Sequence, residues 1–342
     1  MYEKGGEQYF IVDGHTHFWD ARPENRNRWG EGFIACFYDY HRNLSPPEYV
    51  WPKEKYDKYT EEDMMHDLFE IGYDDKAILQ PTYLTDFFPN GFNTTEQDAE
   101  IAARHPERFI LNGAFDPRDG KAGLDDLRRL KDTYDIQGVK LYTAEWKGDS
   151  RGWKLSDPEA QPYFELCEEL GIKNIHVHKG PTIWPLDRDA FDVADVDHAA
   201  TQFTNLNFIV EHCGLPRLED FCWIGTQEPN VYAGLAVVMP FIYSRPKYFG
   251  QVVGELLYWL GEDRILFASD YAIWQPKWLV EMFVDFQIPE DYQSELGTIS
   301  TDQKKKILGL NAARLYGIDV PAGMEVAEPE AIAVGSEPVS PA

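Results

Sequence analysis

Short apolar runs alternate with amphipathic segments along most of the chain, which is the pattern of strands that alternate with helices. Besides a first strand that begins at Ile11, the apolar runs predict strands at 76–81, 109–115, 136–142, 172–177, 206–210, 231–238 and 265–268. Segments of helical period predict helices at 61–72, 94–105, 121–133, 157–170, 189–203, 246–260 and 277–285. Strands and helices at this spacing favour an α/β fold of the (β/α)8 barrel type, with its site where strands end and loops begin. A doubly wound open sheet is the alternative, although no G-x-G-x-x-G motif follows any predicted strand.

Two segments interrupt this alternation. The stretch from about 19 to 60 is rich in Trp and Tyr and contains prolines, so we predict a loop-like insertion after the first strand. Its aromatic side chains need burial, which favours either a lid over a pocket or a contact with another subunit. The final segment, 320–342, is acidic and rich in Pro and Ala, and it predicts a disordered tail outside a barrel domain of residues 1–319.

Composition and charge narrow the classes of partner. The 342 residues include 59 Asp and Glu against 32 Lys and Arg, and the formal net charge of −27 argues against nucleic acid or anionic membranes as partners. The four cysteines lack the paired spacing of a metal site, and no signal peptide is recognisable. These features predict a reducing, cytoplasmic location. No apolar run approaches the roughly 20 residues that are needed to span a bilayer.

Metal-type side chains recur at the ends of predicted strands. His15 and His17 lie in the stretch Val-Asp-Gly-His-Thr-His, where alternation along a strand places both imidazoles on one face. His178 ends the fifth strand, His212 the sixth, and Asp270 follows the eighth. Because the carboxyl ends of barrel strands meet at one face, this recurrence predicts a site for a divalent ion such as Zn²⁺, Mn²⁺ or Fe²⁺.

Several motifs, in this order, resemble those of the amidohydrolase superfamily. The likeness covers roughly residues 10–318 and includes VDGHTH, HPERFILNGAFDPRDG, GVKLY, HVHKG, EHCG, LFASDY and KKKILGLNAARLYGI. It is closest to the amidohydrolase-related branch, which includes aminocarboxymuconate semialdehyde decarboxylase and resorcylate-type decarboxylases. The resemblance implies a (β/α)8 barrel whose metal is bound by His15, His17, His178 and Asp270, with His212 as the catalytic acid or base. Asp270 would also act in catalysis by taking a proton from metal-bound water.

A second metal is an open alternative. Relatives with two metals bridge them with a carboxylated lysine or a glutamate on the fourth strand, which corresponds here to Lys140 in that strand or Glu145 just past it. Lys140 could equally face the helices. His176 is expected either to orient a metal ligand or, with Glu145 and His212, to bind a second ion. Such a site would resemble a small group in the same superfamily that uses Mn/Fe or di-iron centres for O₂-dependent hydroxylation.

The substrate side departs from the pattern of the branch. Decarboxylases of this type usually hold the substrate carboxylate with an arginine, and Arg245, after the seventh strand, is the main candidate here. Trp19 and Trp274 follow strand ends and are expected to wall an apolar pocket. Helix capping and ordinary packing are the alternative interpretations of these residues.

These expectations define a metal-dependent hydrolase or carboxy-lyase that acts on a small organic substrate, with a carboxylate as the expected class. We expect one zinc ion per chain, with manganese or iron as alternatives. By resemblance, the expected assembly is a homodimer or a complex with a related subunit. A dinuclear oxygenase is the first alternative, and a non-catalytic metal-binding partner of another enzyme is the second.

Overall fold

Parallel strands in chain order form the main sheet in the computed structural model, which describes residues 1–324. A small antiparallel hairpin precedes this sheet and consists of β1 Tyr2–Lys4 and β2 Glu7–Tyr9. The strands of the main sheet are β3 Val12–Thr16, β4 Lys76–Leu79, β5 Phe109–Ala114, β6 Gly138–Leu141, β7 Asn174–His178, β8 Asn207–Glu211, β9 Val231–Gly234 and β10 Ile265–Leu266. Each strand pairs in parallel with its neighbour in sequence, which is the topology that crossover helices produce.

The end of the sheet returns to its beginning. The backbone N–H of Gly14 donates to the Phe267 carbonyl oxygen at 3.0 Å, and that of Asp270 donates to the His15 carbonyl oxygen at 3.0 Å. These bonds join β3 to the segment that follows β10, so the eight strands form a nearly closed barrel. The predicted (β/α)8 barrel is therefore confirmed.

Helices connect the strands and pack on the outside of the barrel. They are α1 Arg28–Leu44, α2 Lys53–Asp57, α3 Glu61–Met65, α4 Thr95–Arg104, α5 Gly120–Tyr134, α6 Gln161–Leu170, α7 Asp195–Gln202, α8 Leu218–Gln227, α9 Phe241–Ser244, α10 Pro246–Trp259, α11 Pro276–Asp285, α12 Glu290–Leu296, α13 Thr301–Lys305 and α14 Asn311–Tyr316. Two π-helical turns, His66–Glu70 and Lys306–Leu310, extend α3 and α13. Within residues 1–324, every helix is too short or too polar to cross a membrane.

The aromatic segment after β3 is largely helical, which corrects the loop-like prediction for residues 19–60. Its main element is α1, which begins after Asn27, where the side-chain oxygen accepts the backbone N–H groups of Trp29 and Gly30. Phe33 and Phe37 are buried, and their four-residue spacing is that of one helix face. The prolines on which the loop prediction rests follow the C-terminus of α1, so they end the helix and do not exclude it.

Several predicted elements are shorter than expected, among them two helices and a strand. The helix predicted at 157–170 begins at Gln161, with a proline in its first turn. The helix predicted at 189–203 is a 3-10 turn at Arg188–Phe191 followed by α7. The strand predicted at 231–238 ends at Gly234, because Val237 has a φ angle of 64° that no strand residue adopts.

Only the beginning of the predicted tail belongs to the described residues. Val320 and Met324 pack against a small apolar cluster that includes Phe10 and Leu310 at the N-terminal end of the barrel. The rest of the predicted tail, residues 325–342, lies outside the described residues.

Candidate metal centre

The adjoining ends of β3 and β10 bring three metal-type side chains together. His15 lies in β3 and His17 directly follows it, so alternation places both rings on the same side. Their Nε2 atoms are 2.9 Å apart. Asp270 Oδ1 lies 3.6 Å from His15 Nε2 and 3.5 Å from His17 Nε2. All three side chains are buried, and one ligand atom of each lies within 4.8 Å of the other two.

Contacts on the far side of each ring determine which nitrogen faces this cluster. His17 Nδ1 lies 2.6 Å from the Gln80 carbonyl oxygen, which can only accept, so Nδ1 carries the proton. His15 Nδ1 lies 2.9 Å from Glu211 Oε2, and the nearby carboxylate favours the proton on this nitrogen. Burial lowers the pKa of His15 to about 3, so this ring is neutral at pH 7. With the protons on the Nδ1 atoms, the two Nε2 atoms are the ring nitrogens that remain for an ion.

Three acceptors thus converge on one point, and Lys140 Nζ, 3.3 Å from His15 Nε2, is placed to donate to one of them. Burial by itself raises the pKa of Asp270, but the neighbouring histidines outweigh it and hold this pKa below its ordinary value, so the carboxylate is ionised. Two imidazole lone pairs and a carboxylate oxygen repel one another unless a proton or a cation lies between them. Imidazole and carboxylate are common ligands of divalent zinc, manganese and iron. The residues present therefore fit a divalent metal ion.

His178 and His212 form a second pair beside this centre. His212 Nδ1 lies 3.0 Å from the Ala236 carbonyl oxygen, so its Nε2 faces His178 Nδ1 at 2.9 Å. Such a short contact between ring nitrogens requires a proton or a cation between them, as it does at the His15–His17 pair. Burial lowers the pKa of both rings, and that of His178 well below its ordinary value. His178 lies outside the group of three whose ligand atoms converge, although it lines the same cavity.

The backbone is strained where these groups lie. His212 and Asp270 have φ angles of 64° and 59°, in the left-handed region that non-glycine residues rarely adopt. Val237, at the end of the neighbouring strand, has a φ angle of 64°, which is rarer still for a β-branched residue. All three residues line one cavity. Strain of this kind persists only where the surrounding structure enforces it, and it concentrates at functional sites.

Glu211, which the sequence reasoning missed, lies below the three converging ligands. Its Oε1 lies 2.6 Å from His176 Nδ1 and its Oε2 lies 2.9 Å from His15 Nδ1, so it bridges two imidazoles. Lys140 Nζ lies 3.3 Å and 3.5 Å from the two nitrogens of the His15 ring, so Lys140 faces the barrel interior and not the helices. Burial raises the pKa of Glu211, but His15 and Lys140 outweigh this effect and hold it well below its ordinary value. The available signal was an acidic residue at the end of an apolar strand, directly before His212.

Below Glu211, amide, imidazole and phenol groups bond to one another. Gln80 Nε2 donates to the Gly14 carbonyl oxygen at 2.9 Å, and its Oε1 accepts from Asn112 Nδ2 at 3.1 Å. Asn112 Nδ2 also donates to the Tyr316 hydroxyl at 2.9 Å, and that hydroxyl donates to His176 Nε2 at 2.7 Å. Because Tyr316 ends α14, the closing helix completes this network. We call Gln80, Asn112, His176 and Tyr316 the lower layer. The upper layer consists of His15, His17, His178, His212 and Asp270.

Two predicted site residues lie away from the upper layer. Glu145 accepts the backbone N–H of Thr85 at 3.4 Å and lines a separate cavity of about 200 Å³. Burial raises the pKa of Glu145 to about 7. Arg245 directly precedes α10, and its guanidinium lies 4.5 Å from the centre of the Tyr248 ring. Arg245 is not among the residues that line the upper-layer cavity.

The two predicted tryptophans also lie behind the cavity wall. Trp19 is buried, donates its Nε1–H to the Tyr56 carbonyl oxygen at 2.8 Å, and stacks on Phe92 with ring centres 5.4 Å apart. Phe92 in turn lines the cavity, so Trp19 supports the wall from behind. Trp274 is fully buried and does not line the cavity either.

The cavity beside the upper layer is small and covered. Its volume is about 20 Å³, room for about one water molecule. Phe37 and Tyr40 of α1 cover it from one side, and Ile183 from the loop after β7 covers it from another. In that loop, the half-exposed Trp184 packs on Gly32 of α1, where a Cβ atom would lie 1.8 Å from the Trp184 ring.

The comparisons with known proteins agree with this geometry. A model of the amidohydrolase family matches residues 12–318, and the chain therefore belongs to that family. Among solved structures, an uncharacterized TIM-barrel protein from Bordetella bronchiseptica is 18% identical with a TM-score of 0.67, over 90% of this chain and 98% of its own. The 2,6-dihydroxybenzoate decarboxylase from Rhizobium is 17% identical with a TM-score of 0.61, over 92% and 100%. A dihydroxybenzoic acid decarboxylase from Polaromonas, with bound manganese and the inhibitor 2-nitroresorcinol, is 15% identical with a TM-score of 0.57, over 91% and 98%.

At these identities, the solved structures show the shared fold alone. Among curated protein sequences, none matches this chain. The predicted amidohydrolase resemblance is confirmed, and structural neighbours include aromatic acid decarboxylases of the predicted branch. Family membership and the convergent ligands together support a metal-dependent hydrolase or carboxy-lyase with a divalent ion. The roles of individual site residues stay predictions.

Proposed function

We propose that this protein is a metal-dependent, non-oxidative decarboxylase of a small planar carboxylic acid. The observation that carries the proposal is the convergence of His15 Nε2, His17 Nε2 and Asp270 Oδ1 beside the His178–His212 pair. The first group is suited to hold a divalent ion and the second to hold a proton, which are the two requirements of this reaction. The decarboxylases that share the fold support the substrate class, because the acids in their names are dihydroxybenzoic acids.

His15, His17 and Asp270 would hold the ion, with His178 as the fourth ligand. We propose one zinc ion per chain, with manganese next because the Polaromonas decarboxylase contains it. When bound, the ion supplies positive charge that holds and polarises the oxygen atoms of the substrate. Lys140 adds a cationic group at the same cavity.

His212 is the group that we assign to proton delivery. Its Nδ1 is held by the Ala236 carbonyl oxygen, which directs Nε2 towards His178 and fixes the ring. As the bond between the carboxyl group and the substrate breaks, its electron pair stays on the substrate carbon and CO₂ leaves. That carbon then takes the proton from His212, which is restored from solvent.

The covered cavity supports a lid at this site. A volume of about 20 Å³ is far below the roughly 300 Å³ of small ligand pockets, so a substrate enters only if a covering segment moves. We propose that α1 and the loop after β7 form this lid, with Trp184 on Gly32 as the contact between them. This assigns the lid role, and not only a subunit contact, to the aromatic segment 19–60.

Assembly and location are proposed from resemblance and chemistry. We propose a homodimer, with a complex with a related subunit as the alternative. All four cysteines are free thiols, which supports a reducing, cytoplasmic compartment.

Metal content and CO₂ release test the function together. Protein purified without added metal is expected to contain about one divalent ion per chain and to release CO₂ from 2,6-dihydroxybenzoate. His17→Ala should lose both the ion and the activity. His198→Ala, which removes an exposed histidine of α7, is the matched control and should keep both. Absence of metal from the wild-type protein would overturn the proposal, and a metal-loaded protein that hydrolyses esters or lactones without releasing CO₂ would replace it with a hydrolase.

One observation favours the dinuclear oxygenase as a second candidate. Lys140 and Glu211 both lie against His15 inside the barrel, where a second ion would need ligands. That candidate predicts two metals per chain, iron among them, and O₂ consumption in place of CO₂ release. If the metal-loaded protein turns nothing over alone but co-purifies with another enzyme, the non-catalytic partner is the remaining interpretation.

A further inference from the structure

Two hydroxyl groups at the upper-layer cavity have no hydrogen-bond partner among the described residues: Thr82 Oγ1 and Tyr142 OH. Both residues line the cavity and are buried, with 3% and 8% of their surface exposed. A buried hydroxyl without a partner costs folding free energy, and of the unpartnered buried side chains among the described residues these two are the ones that line this cavity. Their shared location, at a cavity beside the candidate metal ligands, points to a ligand that supplies the missing partner.

Both hydroxyls are held in place by their surroundings. The Tyr142 ring lies between the rings of His178 and Phe191, at 4.7 Å and 5.8 Å between centres. Thr82 exchanges two backbone hydrogen bonds with Asn93, at 2.7 Å and 3.0 Å, and the side chain of Asn93 contacts His17. Groups that are already positioned lose little conformational entropy when they bind a ligand.

Thr82 and Tyr142 lie on the side of the cavity that the candidate ligands leave open. The converging ligands lie at or after the ends of β3 and β10, and the His178–His212 pair lies at or after the ends of β7 and β8. Thr82 follows β4 and Tyr142 follows β6, so the hydroxyls occupy the arc between these two groups. Apolar side chains, among them Phe37, Phe92 and Ile273, fill the rest of the lining. A flat substrate with its carboxylate at the metal would therefore direct its other substituents towards the hydroxyls.

We propose that Thr82 and Tyr142 determine substrate specificity by hydrogen bonding to an oxygen substituent of the substrate other than its carboxylate. This inference rests on the proposed function and adds the residues that hydrogen-bond to the substituents of the substrate. It also explains how the site selects a substrate although Arg245 lies elsewhere.

A pair of ligands separates this role from a merely structural one. Binding of 2,6-dihydroxybenzoate and of benzoate to the zinc-loaded protein would be measured by calorimetry in a His212→Ala background, which lacks the proposed proton donor and therefore does not consume the acid, with and without Tyr142→Phe or Thr82→Val. Each substitution should weaken 2,6-dihydroxybenzoate binding about 5–10-fold, the effect of one hydrogen bond, and change benzoate binding less than about 2-fold. Equal losses for the two ligands, or no loss for either, would overturn the inference.

Thermal unfolding of the same variants without ligand tests the unpartnered hydroxyls directly. Tyr142→Phe and Thr82→Val should keep or raise the melting temperature, because they remove a polar atom that has nothing to bond. The control Tyr38→Phe removes a hydroxyl of α1 that donates to the Trp51 carbonyl oxygen at 3.0 Å, and it should lower the melting temperature. A fall for Tyr142→Phe or Thr82→Val as large as that of the control would contradict the inference. Failure of the His212→Ala protein to bind either acid would instead count against the proposed function, and the unfolding result would still stand.

Discussion

The upper and lower layers of the barrel are built from similar side chains but differ in how these side chains are satisfied. In the lower layer, each polar side chain forms a hydrogen bond with another protein group, and Tyr316 connects Asn112 to His176. In the upper layer, two imidazole lone pairs and a carboxylate oxygen point at one another, and two neighbouring hydroxyls have no partner among residues 1–324. A polar network in which every group has a hydrogen-bond partner stabilises the fold. A group of facing acceptors is instead stabilised when a cation binds between them.

Backbone geometry makes the same distinction. The upper layer contains His212 and Asp270 in left-handed conformations, whereas the lower layer lies on β5, β7 and α14 and directly after β4. Glu211 belongs to both regions, because it contacts His15 above and His176 below. We therefore expect metal binding and folding stability to be separable here, except at Glu211.

Asp270→Asn should give the largest separation of the two properties. The amide removes a negative charge from the ligand set, and its N–H group is able to donate to the imidazole nitrogens that the carboxylate oxygen now faces. We expect metal affinity to fall at least ~100-fold, beyond the usual effect of outer partners of metal ligands, and activity to be lost. The metal-free variant should melt at the same or a higher temperature than the metal-free wild type.

Chelator competition and thermal unfolding of the metal-free proteins check this prediction. Asn112→Asp, which adds a charge to the lower layer, is the matched control and should destabilise the protein without a comparable loss of metal affinity. A metal-free Asp270→Asn protein that melts well below the wild type would contradict the idea of repelling acceptors.

The sequence predicted the upper layer because its signal is local. His15 and His17 are two residues apart, and His178, His212 and Asp270 each end an apolar run, so the barrel topology alone brings them to one face. The eight strands were likewise predictable from alternation, although β9 was predicted too long because the left-handed turn at Val237 leaves no mark in an apolar run.

The sequence did not predict the lower layer because its signal is distributed. Its members come from distant parts of the chain: more than 200 residues separate Asn112 in β5 from Tyr316 in α14, and Gln80 follows β4. A single amide or tyrosine in a sequence also has many possible roles. The helix α1 was missed for another reason, since prolines and glycines near it concealed the spacing of Phe33 and Phe37.

Glu211→Gln should affect both layers, with a smaller loss of metal affinity than the ligand variant. Glutamine keeps the shape but removes the charge that stabilises the proton on His15 Nδ1. Replacing such outer partners typically lowers metal affinity 10–100-fold, and we expect a value of that order. Chelator competition measures it, with Glu281→Gln, a surface partner of Lys277, as the control. An affinity unchanged within about 2-fold would show that Glu211 does not orient His15.

Tyr316→Phe should affect stability alone. Loss of the hydroxyl leaves His176 Nε2 without its donor inside the barrel, which is expected to lower the free energy of unfolding by about 1–3 kcal/mol. Metal affinity should stay within about 2-fold of the wild type, because this residue contacts no upper-layer ligand. Denaturant unfolding and chelator competition check the two parts. A large loss of metal with little loss of stability would reverse the assignment of the layers.

Glu145→Gln should have the smallest effect on metal binding, because we place Glu145 outside the upper layer. Because Glu145 lies at a separate cavity, metal content per chain is expected to be unchanged, whereas a second ion bound by Glu145 would be lost. Burial raises the pKa of Glu145 from 4.5 to about 7, so between these pH values the folded protein keeps a proton that the unfolded chain releases. The free energy of unfolding should therefore decrease as pH rises through this window, and the glutamine variant should show a weaker decrease. Unfolding at pH 5 and pH 8, with the exposed Glu159→Gln as control, measures this difference. An identical pH dependence in Glu145→Gln and the wild type would mean that this carboxyl ionises as freely in the folded protein as in the unfolded chain.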